Sequence, residues 1–221
     1  MINCSICIAT YKRPELLEDL LYSLVNQQLP EEVKMEVIIV DNDAEGSAEC
    51  IVNKFHNTMQ TTFHYFRQPI KNISITRNMA VEKATGDYIL FIDDDEVASR
   101  EWVANLLTTI KNFDADGVFG RVTPNFNENT PDWMKSAHWF YGNFFDAPTG
   151  SEAQCLWTGN CLLKASILKE EKGPFDPEYG ITGGEDTYLF DRLKAKGTKL
   201  FIAMKLWNLN ICPLLEPVFP I

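Results

Sequence analysis

Gly86-Asp87-Tyr88-Ile89-Leu90-Phe91-Ile92-Asp93-Asp94-Asp95-Glu96 runs from a turn residue through a short apolar segment into four consecutive carboxylates. An unbroken apolar run of this kind marks a strand buried on both faces, as in a parallel sheet covered by helices. Four carboxylates at its end repel one another, and each loses water where the strand packs, so the arrangement calls for a divalent cation. Oxygen ligands suit Mg²⁺ or Mn²⁺, which keep few protein carboxylates and complete their shells with water and substrate phosphate oxygens. An isolated acidic run is more often a solvated loop; its place at the end of a buried strand reverses that balance.

The same pattern extends outward in both directions. Before it, Ser74 to Ala84 has helical spacing and reaches Gly86 as a C-terminal cap. Further back, Ser5 to Ala9 predicts a strand, and Pro14 starts a helix carrying Leu16, Leu17, Leu20, Leu21 and Leu24. Val37 to Val40 predicts a second strand ending on Asp41-Asn42-Asp43, followed by a polar helix from Gly46 to His56 and a third strand from Thr62 to Phe66. After it, Ser99 is placed to cap a helix with Val103, Leu106, Leu107 and Ile110, and Gly117 to Val122 predicts another strand. This alternation predicts an α/β fold, a mainly parallel sheet flanked by helices in a single domain. Ligands of such sheets bind beyond the carboxyl ends of the strands, where both acidic clusters fall.

A length of 221 residues and a hydrophobic fraction of 45% match one α/β domain. The formal charge of -11 excludes general nucleic-acid binding, which needs a basic face. No apolar run reaches about 18 residues and no basic segment precedes the first one, so the expectation is a cytoplasmic chain without a signal peptide or a membrane span. Six cysteines are scattered, and Cys4-x-x-Cys7 sits in an apolar run, where core packing is expected rather than redox chemistry. No phosphate loop of the G-x-x-x-x-G-K type and no G-x-G-x-x-G is present, and the first strand leads into Thr10-Tyr11-Lys12-Arg13 rather than a glycine-rich loop.

Thr182-Gly183-Gly184-Glu185-Asp186 opens an amphipathic stretch with Leu189, Phe190 and Leu193 on one face. Acidic residues are favoured in a first helical turn by the dipole alone. Transfer to a hydroxyl also needs a base within reach of that hydroxyl; Asp186 is the candidate and Glu185 the alternate.

These segments together resemble family 2 glycosyltransferases of the GT-A fold, especially bacterial exopolysaccharide transferases of the succinoglycan glucosyltransferase type. The resemblance covers about residues 3 to 203 and rests on Ile6 to Pro14, Ile39-Val40-Asp41-Asn42, Thr76-Arg77-Asn78-Met79-Ala80, Gly86 to Glu96, Thr158-Gly159-Asn160 and Gly183-Gly184-Glu185-Asp186, in that order. It implies a nucleoside-diphosphate sugar donor, UDP-linked by expectation, and inversion at the anomeric carbon. Carried over by motif, Thr10, Tyr11 and Arg13 line the nucleotide pocket, Asp41 reads the base edge, and Arg77 sits by the ribose and diphosphate. Asp93 and Asp95 form the Asp-x-Asp pair, with Asp95 the direct metal ligand, Asp93 on ribose or metal, and Asp94 with the nucleotide-sugar. The implied layout is a nucleotide half over about 1–98 and an acceptor half over about 99–203, with Trp157, Gly159 and Asn160 on the acceptor side.

Residues 124 to 157 are rich in aromatics, among them Trp133, Trp139, Phe140, Tyr141, Phe144, Phe145 and Trp157. Rings cover the apolar faces of sugars, so a saccharide or lipid-linked oligosaccharide acceptor is expected here, with peripheral contact at the inner face of the cell membrane. His138 is expected to pack rather than to bind metal. Beyond Ala203 the chain departs from the resemblance: a His-x-Pro element is expected there, and no His follows His138. One encoding of Met204 to Pro213, read one base earlier, spells Glu-Ala-Val-Glu-Phe-Glu-His-Met-Pro. A reading-frame shift near Ala203-Met204 is therefore expected, making 204–221 an atypical tail. The competing reading is a catalytically impaired nucleotide-sugar-binding protein.

Overall fold

The computed structural model describes residues 1–55, 57, 59–124, 126, 130–135, 147–154, 156–203 and 209–211. The strands in chain order are β1 (Ile2–Thr10), β2 (Val33–Asp41), β3 (Thr61–Arg67), β4 (Tyr88–Ile92), β5 (Glu96–Val97), β6 (Gly117–Gly120), β7 (Val122–Pro124), β8 (Asn160–Lys164), β9 (Leu200–Ala203) and β10 (Leu209–Ile211). The helices are α1 (Pro14–Val25), α2 (Glu49–Val52), α3 (Ile73–Lys83), α4 (Trp102–Asn112), α5 (Asp132–Lys135), α6 (Ala165–Lys169) and α7 (Glu185–Ala195).

The period-two alternation of strand side chains divides the core into two layers. Ile6, Ile8, Val37, Ile39, Leu90 and Ile92 point to one face, where Leu17, Leu20 and Leu24 of α1 and Val103, Leu106 and Ile110 of α4 cover them. Cys7, Ile38, Val40, Ile89 and Phe91 point to the other, against Ala80 and Val81 of α3 and Leu189, Phe190 and Leu193 of α7. The seven-stranded sheet has the order β3-β2-β1-β4-β8-β6-β9. All neighbours are parallel except β8, which is antiparallel to β4 and β6. A small sheet, β5-β10-β7, lies after the acidic run. No helix among the described residues is long and apolar enough to cross a membrane.

Cys4 and Cys7 fall on opposite faces of the sheet, and burial pushes the Cys4 thiol up to about 12 and the Cys7 thiol still higher, so both are packing residues. Gly86 does not cap α3. That helix ends at Ala84 in an extended conformation, and Gly86 instead passes close to β1: a Cβ there would lie 2.8 Å from the Asn3 carbonyl and the Ser5 nitrogen. Ser99 is not the α4 cap either; Glu101 occupies that position, and Ser99 gives its carbonyl to the Trp102 N–H. The polar helix expected over 46–56 shortens to α2, and the strand expected over 117–122 breaks at Arg121 into β6 and β7. His138, the aromatics at 139–145 and most of the tail lie outside the described residues.

Below β1 and β2 one carboxylate gathers three donors. Glu36 accepts from the Ser5 hydroxyl at 2.5 Å, the Thr85 N–H at 2.6 Å and the Thr85 hydroxyl at 2.9 Å. Burial pushes its pKa up, but these hydrogen bonds outweigh burial and hold it below the ordinary carboxylate range. A depressed folded pKa contributes stability that is present above the unfolded value and lost as pH falls through the folded one. Glu36→Gln is therefore expected to cost about 1 kcal/mol at pH 7, the difference between charge-assisted and neutral hydrogen bonds. Urea unfolding at stepped pH should show that cost shrinking as the pH drops below about 4; a cost that does not change with pH overturns the assignment.

Candidate active site

The paired register aligns the carboxyl ends of β1 and β2, with Thr10 opposite Asp41, and β4 lies on the other side of β1. The chain leaves β1 through Lys12, whose φ of 56° is in the left-handed region, and this turn sets Tyr11 and Arg13 beside the acidic run. Between them opens a cleft of about 630 Å³, lined by Thr10, Tyr11, Arg13, Asp93, Asp94 and Asp95 among others. A small-molecule ligand site has this size.

The acidic run has too little positive charge. Asp94 is buried, accepts from the Thr10 hydroxyl at 2.7 Å and pairs with Arg13 at 3.2 Å; the same guanidinium nitrogen reaches Asp95 at 3.2 Å. Burial pushes the Asp94 carboxyl up to about 6; Thr10 and Arg13 oppose this, and Asp95 and Asp93 add to it. Asp95 is raised by burial and by Asp93, and buried Glu96 is raised far above the usual range for the same two reasons. Asp93 and Asp95 remain partly exposed, on the cleft. Among the described residues no three His, Cys, Asp or Glu side chains are arranged to hold a metal ion. Two cleft-facing carboxylates in a cation-poor cluster fit a hard divalent ion that takes its remaining oxygens from phosphate and water.

A second pocket of about 240 Å³ is lined by Trp157, Asp186, Thr187, Phe190 and Asp191. Gly183 and Gly184, at φ 81° and 96°, turn the chain into α7 through conformations that L side chains rarely adopt. Asp186 follows in the first helical turn, with one carboxylate oxygen accepting the Thr187 N–H at 2.7 Å and the other the Thr158 N–H at 3.4 Å. Glu185 is placed differently. It is buried and ion-paired with Arg77, which also reaches Asp93 at 3.3 Å and lies over the Phe175 ring. Its carboxylate is held by the guanidinium and is not part of the lining of the Asp186 pocket.

Asp41 is fully buried and its carboxylate accepts from the Asp43 N–H, the Ala48 N–H and the Tyr65 hydroxyl, so it closes a turn instead of facing the cleft. Asn160 is also buried; its side chain accepts the Trp102 indole N–H and donates to the Arg121 carbonyl. Gly159 lies against the acidic run: a Cβ there would be 2.8 Å from Glu96 Oε1 and 3.2 Å from Asp93 Oδ2. Lys71, Asn72, Gly180 and Ile181 also line the cleft and were not singled out. Asn72 had a readable signal, an Asn immediately before a helix, and it does cap α3 by accepting the Ile75 N–H.

Residues 5–171 match the family model described as Glycosyl transferase family 2. The chain belongs to that family. Among family-2 relatives, the succinoglycan biosynthesis protein ExoM of Rhizobium meliloti is 33% identical over 206 residues, covering 93% of this chain and 66% of ExoM. The poly(ribitol-phosphate) beta-glucosyltransferase of Bacillus spizizenii is 31% identical over 212 residues, covering 91% of this chain and 31% of that enzyme. The structure of Staphylococcus aureus TarS 1-349 in complex with UDP superposes with a TM-score of 0.76 at 17% identity, covering 95% of this chain and 60% of that one. The chain therefore spans less than two thirds of these relatives, and the likeness to TarS establishes the expected GT-A architecture.

Proposed function

We propose that the chain is an inverting glycosyltransferase that moves a sugar from a nucleoside-diphosphate sugar, UDP-linked, to a saccharide or lipid-linked acceptor in surface polysaccharide synthesis. One observation carries this reading. Consecutive residues at the entry to β8 link a lining residue of each pocket: the Thr158 N–H donates to Asp186 at 3.4 Å, and a Cβ on Gly159 would lie 3.2 Å from Asp93. A donor in the cleft and an acceptor hydroxyl at Asp186 thus come together at one place. The relatives support it, ExoM by its named role in succinoglycan biosynthesis and TarS by its structures with UDP and UDP-GlcNAc.

Asp95, with Asp93 beside it, would hold Mg²⁺ or Mn²⁺, and a cation bound there would neutralise the departing diphosphate. Asp186 takes the proton of the acceptor hydroxyl as its oxygen bonds to the anomeric carbon, while the carbon–phosphate-oxygen bond breaks and the nucleoside diphosphate leaves with the electron pair. Charge on the sugar in between has oxocarbenium character, and attack opposite the leaving group inverts the centre.

The deciding experiment is thermal melting with UDP, GDP, dTDP and CDP, each with and without Mn²⁺. UDP with Mn²⁺ at a hundred times its Kd is expected to stabilise the chain by about 2.7 kcal/mol, a rise of about 5 °C or more. No shift with any nucleotide in a folded sample overturns the donor site. The competing reading, donor binding without turnover, is separated by UDP release, which the enzyme shows when acceptors are added and a binding protein does not.

A further inference from the structure

The cleft's polar side chains are almost all engaged. Thr10 donates to Asp94, and Arg13 pairs with Asp94 and Asp95. Asn42 donates to the Gln68 and Ile70 carbonyls and accepts the Asn72 N–H. Asn72 caps α3 and donates to the Pro177 carbonyl. Asp41, which the resemblance offers as reader of the base, already accepts from three donors. Lys71 differs: it lines the cleft, is exposed, and among the described residues has no carboxylate partner. Its ammonium lies 4.9 Å from the centroid of the Tyr11 ring, on the same cleft wall.

The geometry points to Lys71 as a donor-recognition residue, one that binds an oxygen of the nucleotide. Resting on the proposed donor site, this assigns that site a contact not carried by any of the residues read from the sequence. The backbone beside Lys71 is fixed by the hydrogen bonds of Asn72 to Asn42 just beyond β2, to α3 and to the turn at Pro177, so a flexible cation is presented from a rigid base. An ammonium on an aromatic face is held weakly and is readily drawn to a better acceptor. When a nucleotide enters, the ammonium moves from the ring to an oxygen, leaving Tyr11 with the Lys12 ammonium, which lies 5.5 Å from the same centroid. An ammonium only donates, so its partner is a pyrimidine carbonyl or a phosphate oxygen.

The test is calorimetric titration of uridine, UMP and UDP, with Mn²⁺ present, into the parent chain, Lys71→Met, Lys71→Arg and Lys83→Met. Lys71→Met keeps most of the apolar stem and removes the charge, and its UDP affinity is expected to fall by about tenfold or more, the worth of a charge-assisted hydrogen bond. Lys71→Arg should recover most of this. Lys83, on α3 with its ammonium over Phe66, controls for the change in net charge and should leave affinity within twofold. An equal loss for uridine and UDP places the contact on the base, and a loss confined to UMP and UDP places it on phosphate; both support the assignment. UDP affinity within twofold of the parent in Lys71→Met, or an equal loss in Lys83→Met, overturns it. A parent chain that binds none of the three overturns the donor site itself, and this assignment with it.

Discussion

Asp186→Asn is expected to lower sugar transfer by about a thousandfold while leaving UDP binding within twofold of the parent. The substitution is nearly isosteric, and its amide oxygen still accepts the Thr187 N–H, the shorter of the two bonds that position the side chain. What it loses is the ability to take a proton. The cleft beside the acidic run is lined by other residues, so UDP-dependent melting should survive intact. Asp191→Asn, on the same small pocket, is the companion variant, because it removes an equal charge without removing the candidate base. UDP release from the UDP-sugar selected by melting, measured with saccharide acceptors, reads the outcome. Transfer within tenfold of the parent in Asp186→Asn would move the base elsewhere.

Arg77→Met should be the most damaging change for stability. Glu185 is 6% exposed, and the guanidinium facing it carries its compensating charge. Removing one partner of a buried ion pair strands the other, at a cost of about 3 kcal/mol or more. For a chain of this size that lowers Tm by about 6 °C or more. The informative comparison is Arg77→Met with Glu185→Gln. If the cost comes from a stranded charge, the double variant is more stable than Arg77→Met alone; if it comes from lost packing over Phe175, the second substitution adds to the damage. Chemical denaturation of the three variants against the parent decides between them.

The sequence reading succeeded where one physical signal dominates. Buried apolar runs, helices with leucine at helical spacing and glycines before an acidic turn were legible because hydrophobic periodicity and backbone sterics act locally. It is ambiguous where polar groups have two uses. Asp41 and Asn160 stand at strand ends as ligand-binding residues do, and a sheet edge also leaves buried N–H and C=O groups that must be paired, a need both side chains meet. Glu185 and Asp186 are adjacent and both acidic, and only the helix turn separates the anion facing Arg77 from the one facing the small pocket. The antiparallel course of β8 was likewise hidden, since strand direction depends on topology rather than on any residue within Asn160–Lys164. Lys71 escaped notice because an isolated lysine in a loop carries no pattern; only its neighbours' engagements reveal it.

Gly159 has a consequence for genetics. With no side chain, it lets the chain pass against the acidic run, where a Cβ would lie 2.8 Å from Glu96, 3.2 Å from Asp93 and 3.4 Å from the Trp157 ring, a residue of the small pocket. Any side chain introduced there pushes first on the acidic run and then on Trp157, so a single lesion at this position is expected to disturb the linings of both pockets at once.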